Sequence, residues 1–217
     1  MNLDVSPGPD AAIARLCELI AGAAPESLVL TGGTTAGAAY ELLASEAWRT
    51  RLDWSRVTLY FGDERCVPPD DEGSCYRLVA ETLLRGVTPA GVERMRGEEP
   101  DGDAEADRYG ALLPARLDVT LLSMGEDGHC ASLFPGSPQL AEREKLCTTG
   151  LAPYAPYGRI TLTLPALERS RLVVILALGE RKRAALARIR AGESLPSAQV
   201  APLDGEVVWI VDHAALG

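Results

Sequence analysis

Short apolar runs separated by amphipathic stretches occupy most of the chain. A run of this length that is bounded by turn residues is typical of a buried β-strand. The runs predict strands at Ser27–Thr31, Val57–Phe61, Leu117–Ser123, Leu172–Leu178 and Val207–Val211. A further segment, Ile160–Leu164, alternates apolar and polar residues and is typical of a more exposed strand.

Amphipathic stretches lie between these strands. In the first of them, Ile13, Leu16 and Ile20 recur at helical spacing. Such stretches predict helices at Ala11–Ala23, Ala36–Ala47, Tyr76–Leu84, Ala104–Leu113 and Arg181–Arg190. Strands that alternate with helices, several of them apolar throughout, predict an α/β fold with a mostly parallel, Rossmann-like sheet and helices on both faces. The chain shows no repeat and no linker, so we expect a single domain over residues 1–217.

Composition and charge exclude several classes of function. The net charge of −10 argues against a nucleic-acid partner, which needs a basic face, and it means that an anionic ligand needs a local cluster of donors. Two histidines, and five cysteines without a C-x-x-C pair, predict neither a metal site nor a disulfide framework. No apolar run approaches the roughly 20 residues that cross a bilayer. The first residues contain no apolar signal core, so we expect no membrane partner and a cytoplasmic location.

Ligands of parallel sheets bind beyond the carboxyl ends of the strands, so the loops at those ends are the candidate sites. The first loop, Thr31–Thr35, joins a strand to a helix. Glycines let the backbone approach a ligand, and a helix N-terminus presents free N–H groups to an anion. The loop therefore fits a phosphate site made by Gly33, Thr34 and Thr35, and it equally fits a glycine turn with a threonine N-cap.

The second loop, Gly62–Arg65, follows the strand Val57–Phe61 and carries three consecutive charges. Such a loop is often only a solvated turn. In the functional interpretation, Arg65 binds an anion or a developing oxyanion, and Asp63 orients it or accepts a proton.

The third loop, Met124–Gly136, contains one of the two histidines between a carboxylate and a small-residue segment. Asp127 and His129 fit a general base with its orienting partner, although an isolated loop histidine is often only solvated. Cys130, next to the histidine, is more typical of a small buried thiol than of a nucleophile.

Two further cations follow later strands. Arg159 begins the segment Ile160–Leu164, and Lys182 lies near the start of a helix just after Gly179. Arg181 and the other arginines of that helix are typical of a solvated face. His213 is typical of a structural or exposed residue.

Several of these segments together resemble the 6-phosphogluconolactonase family of the pentose phosphate pathway. They are TGGTTA, GDERCVPPDDEGSCYRL, LLSMGEDGHCASLFPG and RITLTLPAL, and they span nearly the whole chain. Glucosamine-6-phosphate deaminases share the fold, an Asp-Glu pair and the D-G-H triplet, but they continue differently after the histidine. The resemblance therefore implies a deaminase-like fold and a lactone hydrolase without a cofactor.

The resemblance also implies a role for each matching residue. The Gly33–Thr35 loop, Arg159 and Lys182 would hold the substrate phosphate. A general base would be His129, with Asp127 beside it, and Arg65 would face the substrate. Asp63 matches the carboxylate that moves protons in the deaminases. A lysine common in the family is absent from the segment around Tyr154.

Two other functions are open at this point. One is a sugar-phosphate isomerase or deaminase on the same fold, and the other is a sugar-phosphate-binding regulator without catalysis. The partner in each case is a phosphorylated sugar or its lactone. A monomer and a homodimer both agree with the sequence.

Overall fold

A computed structural model describes residues 1–217. The ten strands are β1 Asn2–Ser6, β2 Ser27–Leu30, β3 Thr58–Phe61, β4 Asp63–Arg65, β5 Gly91–Val92, β6 Leu117–Ser123, β7 Cys147–Leu151, β8 Gly158–Leu162, β9 Ser170–Ala177 and β10 Glu206–Asp212. The seven helices are α1 Pro9–Ala23, α2 Thr34–Ala44, α3 Cys75–Thr82, α4 Gly102–Leu112, α5 Leu164–Leu167, α6 Arg183–Arg190 and α7 His213–Leu216. No helix is long and apolar enough to cross a membrane.

Seven strands form one parallel sheet in the order β1-β10-β9-β6-β2-β3-β5. From β2 the chain builds outward through β3 to β5, and it then returns to the other side of β2 to add β6, β9 and β10. The order therefore reverses between β2 and β6, which is where ligands bind in open α/β sheets. The predicted mostly parallel fold is confirmed.

Both faces of this sheet are covered, which explains why its central strands are apolar throughout. Successive side chains of a strand point to opposite faces. Leu28 and Leu30 accordingly pack with α1, α2 and α3, whereas Val29 packs on the other face. Helices α4, α5, α6 and α7 contribute to the core on that second face.

A second, three-stranded antiparallel sheet has the order β4-β8-β7. It corrects two expectations. Residues 63–65 form a strand rather than a loop, because Asp63, Glu64 and Arg65 pair with β8. The segment Ile160–Leu164 was expected to be more exposed, but Ile160 and Leu162 are buried in the core of the second face.

The boundaries of the predicted helices also differ from the expectation, most clearly for two of them. The helix expected at Ala36–Ala47 starts at Thr34 and ends at Ala44, and turns follow it. The helix expected at Arg181–Arg190 is a 3-10 turn over Glu180–Lys182 followed by α6.

Candidate functional site

A cavity of about 590 Å³ opens beyond the carboxyl ends of β2, β6 and β9. Its size suits a small-molecule ligand. Most of the predicted site residues line it, namely Gly33, Asp63, Arg65, Asp127, His129, Arg159 and Lys182. The other two, Thr34 and Thr35, line an adjoining depression that shares Gly33 and Lys182 with the cavity.

The loop after β6 brings Asp127 and His129 into direct contact. Asp127 Oδ1 lies 2.5 Å from His129 Nδ1 and accepts a second hydrogen bond from the His129 backbone N–H at 3.1 Å. Burial alone would raise the pKa of Asp127, but these hydrogen bonds outweigh it and lower the pKa. Asp127 is therefore ionised at neutral pH and accepts a hydrogen bond from Nδ1–H of His129. This tautomer of the imidazole leaves Nε2 free to act as a base.

Two glycines give this loop its shape. A Cβ at Gly125 would lie 2.0 Å from His129 Nδ1 and 2.8 Å from Asp127 Oδ1. Gly128 has a φ of +85°, and a Cβ there would lie 2.5 Å from a methyl group of Leu195. The close contact between carboxylate and imidazole therefore depends on the absence of side chains at both positions.

Aromatic rings pack against one side of the imidazole. The rings of His129 and Phe134 lie 4.5 Å apart, and Tyr154 meets Phe134 edge-on at 5.8 Å. The His129 side chain is only 18% exposed as a result. These contacts restrict the ring to orientations that point into the cavity.

The loop after β2 is anchored by Tyr40 and carries no negative charge. The buried Tyr40 hydroxyl bonds both the backbone N–H of Thr31, at 2.9 Å, and its carbonyl, at 2.7 Å. Helix α2 begins after Gly33 without a side-chain cap and without an acidic residue in its first turn. The N–H groups and positive dipole end of α2 are thus available to an anion.

Two arginines lie opposite each other on the antiparallel sheet, since Arg65 of β4 pairs with Arg159 of β8. Arg65 donates to the carbonyl of Gly73, and Arg159 donates through Nη1 to the carbonyls of Pro156 and Gly158. Both keep their remaining guanidinium nitrogens free of protein acceptors. Burial and the neighbouring Arg65 lower the pKa of Arg159.

The two carboxylates next to Arg65 have different roles. Glu64 accepts hydrogen bonds from the backbone N–H groups of Cys75 and Tyr76 at 2.7 and 2.8 Å, and it thereby caps α3. Asp63 instead lines the cavity and accepts a hydrogen bond from Ser132 Oγ at 2.7 Å. Only Asp63 is therefore placed to meet a ligand.

A second pair of cations lies across the cavity, on the turn after β9. Lys182 is half-buried, and burial lowers its pKa. Arg181 lies at the edge of the cavity and pairs with Glu126 at 2.6 Å, and its side chain is 82% exposed, in agreement with the expected solvated position. It belongs to the 3-10 turn after β9 rather than to α6.

The thiol beside the histidine takes no part in this arrangement. Cys130 is fully buried, and burial raises its pKa to about 12. It is therefore protonated at neutral pH and is not a nucleophile. No group of three or more His, Cys, Asp or Glu side chains is arranged to hold a metal ion.

Among the cavity residues to which the sequence gave no role in the site are Arg181, Ser132 and Tyr154. For Arg181 a signal existed, because it lies two residues after Gly179, just beyond the carboxyl end of a predicted strand. Ser132 gave no such signal, since its partner Asp63 is distant in the sequence. Tyr154, whose ring lies 5.8 Å from the Arg159 guanidinium carbon, stands where a family lysine was expected.

Comparisons with known proteins agree with the resemblance expected from the sequence. The family model for glucosamine-6-phosphate isomerases/6-phosphogluconolactonase matches residues 9–209. The 6-phosphogluconolactonase of Homo sapiens is 37% identical over 92% of this chain and 83% of its own length. The GDH/6PGL endoplasmic bifunctional protein of Oryctolagus cuniculus is 33% identical over 97% of this chain, which spans 29% of that longer protein.

A solved structure gives the same result. The crystal structure of a 6-phosphogluconolactonase from Shewanella baltica superposes with a TM-score of 0.83 at 30% identity, and it covers 98% of this chain and 97% of its own. With a family model matched over most of its length and relatives above 30% identity, the chain belongs to the family of glucosamine-6-phosphate isomerases and 6-phosphogluconolactonases.

Proposed function

We propose that this chain hydrolyses 6-phospho-D-glucono-1,5-lactone to 6-phosphogluconate, with residues 1–217 acting as one catalytic domain. The observation that carries the proposal is the contact of 2.5 Å between Asp127 and His129 in a cavity that also holds four cationic side chains. A general base beside an anion site is what hydrolysis of a phosphorylated ester requires.

The phosphate of the substrate is held at the Gly33–Thr35 loop. Free N–H groups at the start of α2 and the threonine hydroxyls donate hydrogen bonds, and Arg159 and Lys182 supply positive charge. Local donors are needed because the net charge of −10 repels a phosphate at long range. Anchoring the phosphate fixes the lactone carbonyl near His129, and such positioning is worth about 7–11 kcal/mol of barrier in favourable cases.

His129 then removes a proton from water through Nε2, and the water oxygen attacks the lactone carbonyl carbon. Asp127 holds the imidazole in the required tautomer and stabilises the imidazolium that forms. Arg65 stabilises the tetrahedral oxyanion through its free guanidinium nitrogens. When the ring C–O bond breaks, the protonated His129 donates its proton to the departing ring oxygen.

One experiment separates this function from its rivals. The purified chain is given freshly generated lactone, glucosamine 6-phosphate and 6-phosphogluconate in parallel, and the spontaneous rate of lactone opening is subtracted. We expect accelerated lactone opening and no release of ammonia. Ammonia release would support a deaminase instead, and tight binding of 6-phosphogluconate without any acceleration would support a regulator.

Replacing Arg159 with alanine is expected to raise KM for the lactone by about 10–100-fold, the scale of a charged hydrogen bond, with little change in kcat. Arg159 is buried, lines the cavity and carries the positive charge, so Arg159→Lys is expected to recover part of the loss. The measurement is steady-state kinetics. Arg116→Ala is the matched control, because Arg116 is exposed and precedes β6 at the opposite end of the sheet.

A large fall in kcat of Arg159→Ala at unchanged KM would contradict this role and would assign the arginine to the transition state.

The affinity for 6-phosphogluconate is expected to fall with rising pH before an ordinary lysine would titrate. Burial lowers the pKa of Lys182, so the positive form that binds the anion is lost at lower pH than usual. Calorimetric titration with 6-phosphogluconate across alkaline pH tests this. In Lys182→Arg, which stays charged, the fall is expected to disappear, and an identical pH profile in this variant would contradict the role of Lys182.

A further inference from the structure

The carboxylate of Asp63 is bound on one side only. The residue is 7% exposed, and its Oδ2 accepts the hydrogen bond of 2.7 Å from Ser132 Oγ. Its other oxygen, Oδ1, accepts no hydrogen bond from the protein. It is also not one of the fully buried side-chain atoms that lack a hydrogen-bond partner. Because Asp63 lines the cavity, Oδ1 is the oxygen that meets whatever occupies it.

Asp63 is not simply the counter-ion of the neighbouring arginines. Arg65 and Arg159 flank it in the antiparallel sheet, yet neither comes within 4.0 Å of its carboxylate. Both guanidinium groups instead donate to backbone carbonyls. The carboxylate therefore keeps one oxygen free to accept a hydrogen bond, beside two arginines that can only donate.

Ser132 is itself fixed in place. It is 2% exposed, and its backbone N–H donates to the buried Thr161 Oγ1 at 3.1 Å. Thr161 lies opposite Asp63 in the pairing of β8 with β4, so Ser132 is bonded to two residues that are neighbours across these strands. The preceding Ala131 has a φ of +48°, a left-handed conformation that alanine rarely adopts and that turns the chain toward Asp63 at this point.

The chemistry of such a group points to a hydroxyl donor. An ionised carboxylate accepts hydrogen bonds only, and it repels the phosphate that the cationic side chains attract. The ring of a sugar lactone carries hydroxyl groups that need acceptors. A buried acceptor strongly disfavours an analogue that lacks its donor, because the acceptor is then left unpaired.

We propose that Asp63 Oδ1 accepts a hydrogen bond from a ring hydroxyl of the substrate and thereby selects hydroxylated sugar lactones, with Ser132 as the residue that positions the carboxylate. This inference rests on the proposed function, and it assigns Asp63 to substrate selection rather than to proton transfer.

The test compares lactones made by oxidation of glucose 6-phosphate, 2-deoxyglucose 6-phosphate, 3-deoxyglucose 6-phosphate and galactose 6-phosphate. With the wild-type chain, we expect one altered lactone to show kcat/KM lower by about 10–100-fold, the scale of a charged hydrogen bond. In Asp63→Ala the ratio of kcat/KM between the normal and the altered lactone is expected to shrink to within about threefold. The reason is that neither lactone then meets the carboxylate acceptor. Ser132→Ala is expected to lose part of the discrimination while it keeps the fold.

Two results would overturn the proposal. One is a loss of activity in Asp63→Ala that is equal for all four lactones, which would place Asp63 in the chemical step. The other is unchanged discrimination in Ser132→Ala and Asp63→Ala.

A binding measurement keeps the test independent of turnover. Calorimetry compares 6-phosphogluconate with its deoxy analogues, and the same discrimination and the same loss in both variants are expected. A wild-type chain that binds selectively but opens no lactone would defeat the proposed function alone, whereas one that opens lactones without any selectivity would defeat the role of Asp63 alone.

Discussion

Replacing His129 with alanine is expected to lower kcat/KM for the lactone by about 10²–10⁴-fold, the range of general base catalysis. The variant loses the only group of the cavity that is held by a carboxylate with a free ring nitrogen opposite it. His129 is not one of the groups assigned to the phosphate, so affinity for 6-phosphogluconate is expected to stay within about threefold of wild type. Initial rates corrected for spontaneous opening measure the first effect, and calorimetry the second.

His213 provides the matched control. It is the second histidine of the chain, it is exposed, and it begins α7 outside the cavity. His213→Ala is therefore expected to keep wild-type kinetics. Near-wild-type turnover of His129→Ala would show that His129 is not the base.

Replacing Gly125 with alanine is expected to remove most of the activity without touching a reacting group. The new Cβ would lie 2.0 Å from His129 Nδ1, far below van der Waals contact, so the ring must move away from Asp127. The expected loss in kcat approaches that of His129→Ala, about 10²-fold or more. Crowding of this kind also costs about 1–3 kcal/mol of stability, which a thermal melt measures as a lower Tm.

Gly22→Ala is the control for the substitution itself. Gly22 lies in the last turns of α1, and a Cβ there has no atom within 4 Å. Alanine is the better helix former, so Gly22→Ala is expected to raise the free energy of unfolding by up to about 1 kcal/mol and leave kcat unchanged. Full activity in Gly125→Ala would mean that the contact between His129 and Asp127 is dispensable.

The parallel sheet was predictable because its signal is local. Leu28, Val29 and Leu30 are apolar in sequence because the two faces of β2 are both buried, and that pattern is visible without any partner strand. The small sheet was not predictable in the same way. Asp63, Glu64 and Arg65 become a strand only through pairing with β8, which is far along the chain.

In the candidate site, too, contacts between residues close in sequence were predictable and contacts between distant segments were not. Asp127 and His129 are two residues apart in one turn, so their pairing was open to inference from the sequence. The hydrogen bond between Ser132 and Asp63 joins the loop after β6 to strand β4, and no local pattern reveals it. Arg159 was predicted as a cation, but its position opposite Arg65 follows only from the register of β4 and β8.

We propose that the chain opens the lactone with His129 as the base. The most direct measurement follows freshly generated 6-phosphogluconolactone by NMR, in buffer alone, with a catalytic amount of the wild-type chain, and with His129→Ala at the same concentration. We expect rapid conversion to 6-phosphogluconate with the wild-type chain only, and a rate close to that of buffer with the variant. A wild-type rate equal to the buffer rate, or a variant as fast as wild type, would contradict it.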